Sequence, residues 1–226
     1  MASSQIPTSL VNYDAFLFDL DGTLLDTADD LGAALNTVLR SQGVDEVTSH
    51  VYRPAASNGA GALLEAGFKT LWPEQAQSTL IKQLVDEYAA NIANQTVCFS
   101  GIESLLIALS HKKIKWGIMT NKPSFLTDPL VAAIPALKDA SVVISGDTLA
   151  EAKPSPLPLI HSAKLMGVDP KRCLYIGDAQ RDIQAGKAAG MHTATALWGY
   201  VPSIDEAVSW NANFNWQSPI DGFNHI

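Results

Sequence analysis

The chain has 226 residues, 47% hydrophobic and 17% charged, which supplies material for a sizeable core and excludes intrinsic disorder. With 15 Lys and Arg against 23 Asp and Glu, its formal charge is −8, and the densest basic stretch, HKKIK at residues 111–115, is too short for a nucleic-acid surface. No apolar run approaches the ~18 residues of a membrane span and residues 1–12 lack a basic-then-apolar leader, so a soluble cytoplasmic protein is expected.

Residues 13–20 (YDAFLFDL) form an apolar run that ends in acids, as in a buried parallel strand whose carboxyl end opens onto a site. The next segment, 26–42, carries Leu31, Ala34, Leu35, Val38 and Leu39 on one helical face and stops at Gly43. Residues 54–95 read as helix throughout, in two segments (60–71 and 74–94) interrupted by Pro73. From 102 onward helices and strands alternate: helix 102–111, strand 114–120, helix 125–134, strand 141–144, helix 158–166 ending at Gly167, strand 173–177, helix 183–189 ending at Gly190, strand 193–197. This alternation predicts an α/β fold, a doubly wound, Rossmann-like parallel sheet covered on both faces. The long all-helical stretch after the first strand exceeds a normal crossover and reads as an inserted helical subdomain. The division expected is a core of residues 1–25 and 96–226 and an insertion of 26–95. The Asn- and Trp-rich tail after Trp210 gives no clear pattern.

Cys98 and Cys173 lie 75 positions apart with no CxxC pair, and both read as core thiols. His50, His111, His161, His192 and His225 show no ligand spacing. Trp72, Trp116, Trp210 and Trp216 read as packing residues, and Trp198-Gly199-Tyr200 as either packing or the rim of a site entrance.

Four short signals follow predicted strands, where open α/β sheets build their sites. Asp19-Leu20-Asp21-Gly22 sets two carboxylates at i and i+2, suited to sharing a cation or to dividing into nucleophile and acid–base. Taken alone, DxDG also occurs in calcium loops and ordinary turns. Thr120-Asn121-Lys122 offers a hydroxyl and backbone N–H groups to a phosphate oxygen, or a helix cap. Lys153, made extended by Pro154, could neutralise a phosphoryl group and a carboxylate, or be an ordinary solvated lysine. Gly177-Asp178 with Asp182 four positions on places two more acids at a strand end and a helix start, a pattern that helix capping also explains.

In this order the motifs FDLDGTLLDT, MTNKP, KPSP and GDAQRDI resemble the haloacid dehalogenase-like hydrolase superfamily, specifically its capped phosphatases, over roughly residues 13–200. The resemblance implies a haloacid dehalogenase-type core with residues 26–95 as the cap. It implies Asp19 as the nucleophile that becomes an aspartyl-phosphate, and Asp21 as acid and then base. Thr120 would bind the phosphoryl oxygen with Asn121, and Lys153 would bridge phosphate and Asp19. Mg²⁺ would be held by Asp19, Asp178 and the Asp21 backbone carbonyl, with Asp182 beside them. Within the cap, Arg53 and the Ser57-Asn58-Gly59 turn are candidates for an anionic substrate group, or else an ordinary capped turn.

The activity expected is a Mg²⁺-dependent phosphatase for a small phosphomonoester, similar to phosphoglycolate phosphatases. The Arg53-Pro54, Trp116-Gly117 and Gly199-Tyr200 pairs are also similar to N-acetylmuramic acid 6-phosphate phosphatases. A sugar phosphomutase of the same superfamily is the second enzyme reading. A phospho-accepting receiver module is the reading from a different class, disfavoured by the length of the chain and the order of the acids. No nucleic-acid or membrane partner is expected, and the chain is expected to be a monomer or homodimer.

Overall fold

Residues 15–18 read AFLF and all four side chains are buried, so this strand, β1 (Ala15–Phe18), must be covered on both faces. The structure, a computed structural model, describes residues 12–69 and 77–226. After β1 the chain leaves the sheet through β2 (Leu25–Asp26) and returns through β3 (Val97–Cys98). The two pair antiparallel, with Leu25 opposite Cys98. Between them lie α1 (Ala28–Ser41), α2 (Ser49–Tyr52), a 3₁₀ turn (Arg53–Asn58), α3 (Gly59–Phe68) and α4 (Gln77–Ala90). There follow α5 (Ile102–His111), β4 (Lys115–Met119), α6 (Ser124–Ala133), β5 (Val143–Ile144) and α7 (Leu157–Met166). Then come β6 (Cys173–Gly177), α8 (Gln180–Ala188), β7 (His192–Ala196), α9 (Ile204–Ser209) and β8 (Phe214–Trp216), followed by a 3₁₀ helix (Pro219–His225).

Six strands form one sheet of order β5-β4-β1-β6-β7-β8, parallel throughout, with Phe18 between Ile118 and Ile176. On one face Phe16, Phe18 and Ile118 pack with Leu105 and Leu109 of α5 and Leu130 of α6. On the other, Leu17, Met119 and Tyr175 pack with Leu159 and Ala163 of α7 and Ala185 of α8. The helices between β2 and β3 have a core of their own, in which Leu31, Leu35 and Leu39 of α1 meet Leu63 of α3 and Leu84 and Tyr88 of α4. The apolar stripe predicted on 26–42 is the face that makes these contacts. No helix among the described residues is long and apolar enough to cross a membrane.

One expectation is corrected, and two strands appear that the sequence did not announce. Helix is not continuous over 54–95: residues 53–58 form a tight 3₁₀ turn with Pro54 in its first turn, and Lys69, at φ +53, ends α3. Pro73, Trp72 and the predicted segment ends at 71 and 74 lie outside the described residues. Residues 97–98 are a strand, because β2 rather than local propensity supplies their partner. The sheet also gains β8 beyond the last predicted strand. Asn213 accepts a hydrogen bond from the Thr193 N–H at 2.9 Å, and Trp216 is buried, which together fix FNW against β7.

Candidate active site

Three strands end side by side, and each delivers one functional segment: β1 runs into Asp19–Thr23, β4 into Thr120, β6 into Asp178. The turn after β1 requires glycine. Gly22 has φ +80, and a Cβ there would stand 2.1 Å from Asp178 Oδ2. A Cβ on Gly199 would stand 2.2 Å from the Gly22 carbonyl oxygen and 2.5 Å from Asp178 Cβ. These two close approaches bring the loops after β1 and β7 against Asp178.

The centre is a buried ionic cluster. Lys153, with a wholly buried side chain, donates to Asp19 Oδ1 at 2.8 Å, Asp182 Oδ1 at 2.7 Å and the Tyr175 hydroxyl at 2.9 Å. Asn121 clamps it from behind: its amide donates to the Lys153 carbonyl and its oxygen accepts from the Lys153 N–H, both at 2.9 Å. Burial works against the ammonium charge, yet Asp182 and Asp19 together hold the Lys153 pKa above its ordinary value. Asp19 is buried, and its Oδ1 also accepts from the Leu20 N–H at 2.8 Å, whereas Oδ2 has no partner among the described residues. Burial raises the Asp19 pKa more than Lys153 lowers it. Asp182 accepts the Ala179 N–H on Oδ2 at 2.9 Å, so both its oxygens are committed to the protein.

Asp178 accepts the Ser57 hydroxyl and the Tyr200 N–H on Oδ2, each at 2.9 Å, and Thr23 Oγ1 approaches Oδ1 at 3.4 Å. Burial first, then the Asp19 and Asp182 charges, push its pKa up to about 7. Through Ser57 the 3₁₀ turn of the helical insertion touches the acid cluster directly. Arg181 of α8 completes that contact by donating to the Ser57 carbonyl and to Asn58 Oδ1.

Above the cluster lies a cavity of about 530 Å³. Asp19, Asp21 and Thr120 open into it from the sheet, and Ser57, Asn58 and Gly59 from the insertion. Its far side is apolar, with Leu31, Leu63, Leu84 and Val85 facing Phe125 and Leu126. Asp21 Oδ1 accepts Thr27 Oγ1 at 2.7 Å and Lys122 Nζ at 2.9 Å. Among the described residues, Lys122 and Arg181 are the cationic residues lining the cavity; the sequence placed Lys122 only within the Thr120-Asn121-Lys122 phosphate-binding turn and gave Arg181 no role of its own.

Arg53 takes a different place from the one expected. It is ion-paired with Asp26, reaches Asp29 at 4.0 Å and stacks 5.4 Å over the Tyr200 ring, and it is not part of the cavity wall. Its guanidinium is held where the chain enters the insertion, because Asp26 supplies the carboxylate there. Nor does the Trp198–Tyr200 segment line the cavity. Trp198 donates its indole N–H to the Thr23 carbonyl at 3.0 Å. The Tyr200 hydroxyl accepts the N–H groups of Thr27 and Ala28 at 2.7 and 2.9 Å and donates to Asp26 Oδ1 at 2.9 Å. Tyr200 thus caps the first turn of α1 from outside and ties it to Asp178 through its own backbone N–H.

Carboxylate oxygens of Asp19, Asp178 and Asp182 lie within 4.8 Å of one another, and all three residues are buried. Hard oxygen donors in excess of the buried cation Lys153 are the donor set of a divalent cation such as Mg²⁺. The metal-free protein is therefore expected to lose stability as pH rises. Asp178 binds a proton up to about 7 in the fold but only up to its ordinary 3.8 when unfolded, so the fold holds more protons in between. Melting temperatures in chelator should fall between pH about 4 and about 7, and Asp178→Asn should flatten the slope. Equal slopes in the two proteins would refute the assignment.

The profile of the haloacid dehalogenase-like hydrolase family matches residues 16–196. A phosphoglycolate phosphatase of Xanthomonas campestris pv. campestris is 40% identical over 205 residues, which cover 91% of this chain and 92% of that one. An N-acetylmuramic acid 6-phosphate phosphatase of Pseudomonas aeruginosa is 34% identical over 199 residues, 88% of each chain. Among solved structures, a predicted phosphoglycolate phosphatase from Haemophilus somnus superposes with a TM-score of 0.83 at 24% identity, over 93% of this chain and 96% of that one, a likeness of fold.

Proposed function

The chain belongs to the haloacid dehalogenase-like hydrolase family and is a phosphatase, and from that premise we propose that it hydrolyses a small phosphomonoester through a phosphoryl group carried on Asp19, with Mg²⁺ as cofactor. The observation that carries this reading is the buried Asp19–Lys153 pair beneath a cavity into which Asp21 and Thr120 also open.

Asp19 Oδ2 forms a bond to phosphorus as the ester P–O bond breaks, and Asp21 gives the departing alcohol oxygen its proton. Water then attacks phosphorus, Asp21 takes a proton from it, and the bond to Asp19 breaks to release inorganic phosphate. Lys153 keeps one N–H on Asp19 and faces the phosphoryl charge, and Thr120 donates its hydroxyl to a phosphoryl oxygen. Mg²⁺, held by Asp19, Asp178 and the Asp21 backbone carbonyl, would shield the anionic nucleophile from the anionic phosphate. Asp182 acts by fixing Lys153. Residues 26–95 serve as the cap, with Ser57, Asn58 and Gly59 as its contact with substrate, and Ser57 on Asp178 joins it to the core. Closure of such a cap excludes water from the attack on Asp19.

Similarity to phosphoglycolate phosphatases supports 2-phosphoglycolate as the substrate. N-acetylmuramic acid 6-phosphate is a second reading, favoured by the cavity: a two-carbon ester fills little of about 530 Å³, and the apolar far wall suits the face of a sugar ring. Phosphate release from both esters, from glucose 6-phosphate and from p-nitrophenyl phosphate, with Mg²⁺ and with chelator, tests the proposal. Mg²⁺-dependent release with one ester preferred is expected. No release from any ester would overturn it.

A further inference from the structure

Resting on that phosphatase reading, we infer that Lys122 forms a carboxylate subsite in the cavity and selects esters whose alcohol half carries an anionic group close to the ester oxygen. Three observations converge on it. The Lys122 side chain is only 7% exposed, yet it lines the cavity, so the protein has desolvated a cation and pointed it at the ligand space. An ammonium has three donors, of which one goes to Asp21 Oδ1 at 2.9 Å. The Tyr88 ring centroid stands 4.5 Å from the nitrogen and offers only a π face, so at least one N–H has no acceptor among the described residues.

The other cations near the cavity are engaged elsewhere. Lys153 is enclosed by Asp19, Asp182 and Tyr175, and Arg181, which donates to the Ser57 carbonyl and Asn58, has its charge partners in Asp182, Asp19 and Asp178, on the phosphoryl side rather than beside Asp21. Position then sets the chemistry. In the proposed reaction Asp21 touches the ester oxygen that leaves, and Lys122 Nζ sits beside that same carboxyl group. A carboxylate one carbon from the ester oxygen comes within reach of Nζ, whereas the phosphoryl group on the Asp19 side does not need it. The subsite belongs to β4's own loop, directly after Thr120, and not to the cap arginine that the sequence suggested. Its cap partner is Tyr88, whose hydroxyl is buried without a hydrogen-bond partner among the described residues. Lys122 is thus specificity-determining and is read through the alcohol half of the substrate alone.

The test compares kcat/KM for 2-phosphoglycolate and for ethyl phosphate, which replaces the carboxylate by a methyl group, in wild type, Lys122→Met and Lys122→Arg. The double comparison cancels the differing reactivity of the two esters and any general effect on Asp21. A charge-assisted hydrogen bond predicts that Lys122→Met lowers kcat/KM for 2-phosphoglycolate about tenfold to a hundredfold more than for ethyl phosphate, chiefly through KM. Lys122→Arg should recover part of that difference. Equal losses on the two esters would show that Lys122 only positions Asp21, and would overturn the inference while leaving the phosphatase reading intact. A second measurement needs no variant: 3-phosphonopropionate should inhibit wild type about tenfold more tightly than propylphosphonate, and equal inhibition would overturn the inference. Failure of wild type to hydrolyse any ester is a different result, and removes the phosphatase reading itself.

Discussion

Replacing Asp19 by Asn is expected to cut phosphate release by about 10³-fold or more while leaving the metal-free fold at least as stable as wild type. The two effects share one cause. The carboxylate is the atom source of the covalent intermediate, and an amide of the same shape has no oxygen that can attack phosphorus and then be regenerated. Yet the carboxylate is held where its charge is disfavoured: burial raises its pKa, and Lys153 offsets only part of that. Removing the charge relieves the repulsion that Asp19 shares with Asp182 and Asp178, while Lys153 keeps its bond to Asp182 at 2.7 Å. The measurements are phosphate release, thermal melting in chelator, and acid-quench trapping of the phosphoryl-enzyme, which should be seen in wild type only. Activity within about tenfold of wild type would sink the assignment of Asp19 as nucleophile.

What the sequence shows of this site is what a strand end imposes. Buried runs such as AFLF and CLYIG have to be sheet strands, and the acids that terminate them have to emerge at one edge, so the positions of Asp19, Asp21 and Asp178 were legible before any coordinates. Thr120 was legible by the same rule, directly after β4, whereas Lys153 lies nine residues beyond β5 and was singled out by the order of the motifs and not by a strand end. Partnership was not legible. Arg53 looked like a substrate cation because nothing in the string RPAASNG shows that Asp26, 27 positions earlier, neutralises it. Lys122 looked like part of a phosphate-binding loop because its burial comes from Tyr88, on a helix of the insertion. Tyr200 offered the option of an entrance residue, but its hydroxyl substitutes for a helix cap on α1, a contact across 173 positions of sequence. The same holds for β3 and β8, whose two and three residues have too little pattern to announce a strand and take their structure from a neighbour.

Lys153 is where stability and chemistry come apart. Lys153→Met removes the cation from between two buried carboxylates and is expected to cost about 3–5 kcal/mol, because Asp19 and Asp182 are then buried without their shared partner. Activity should fall below detection, since no ammonium remains to face the phosphoryl charge. Asp182→Asn alone should be milder for the fold: Lys153 keeps Asp19 at 2.8 Å and the Tyr175 hydroxyl at 2.9 Å, and the new amide still fills the space beside Ala179. Its rate should drop about tenfold to a hundredfold, because the ammonium loses one of the three close partners that aim it. The double variant separates the roles. Removing the Asp182 charge as well as Lys153 relieves one of the two unpaired carboxylates, so stability should recover by about 1–3 kcal/mol relative to Lys153→Met. Activity should not recover at all. If the double variant melts no higher than Lys153→Met, the Lys153–Asp182 contact is not a coupled ion pair. If activity returns with stability, Lys153 serves the fold alone and some other group must neutralise the phosphoryl charge.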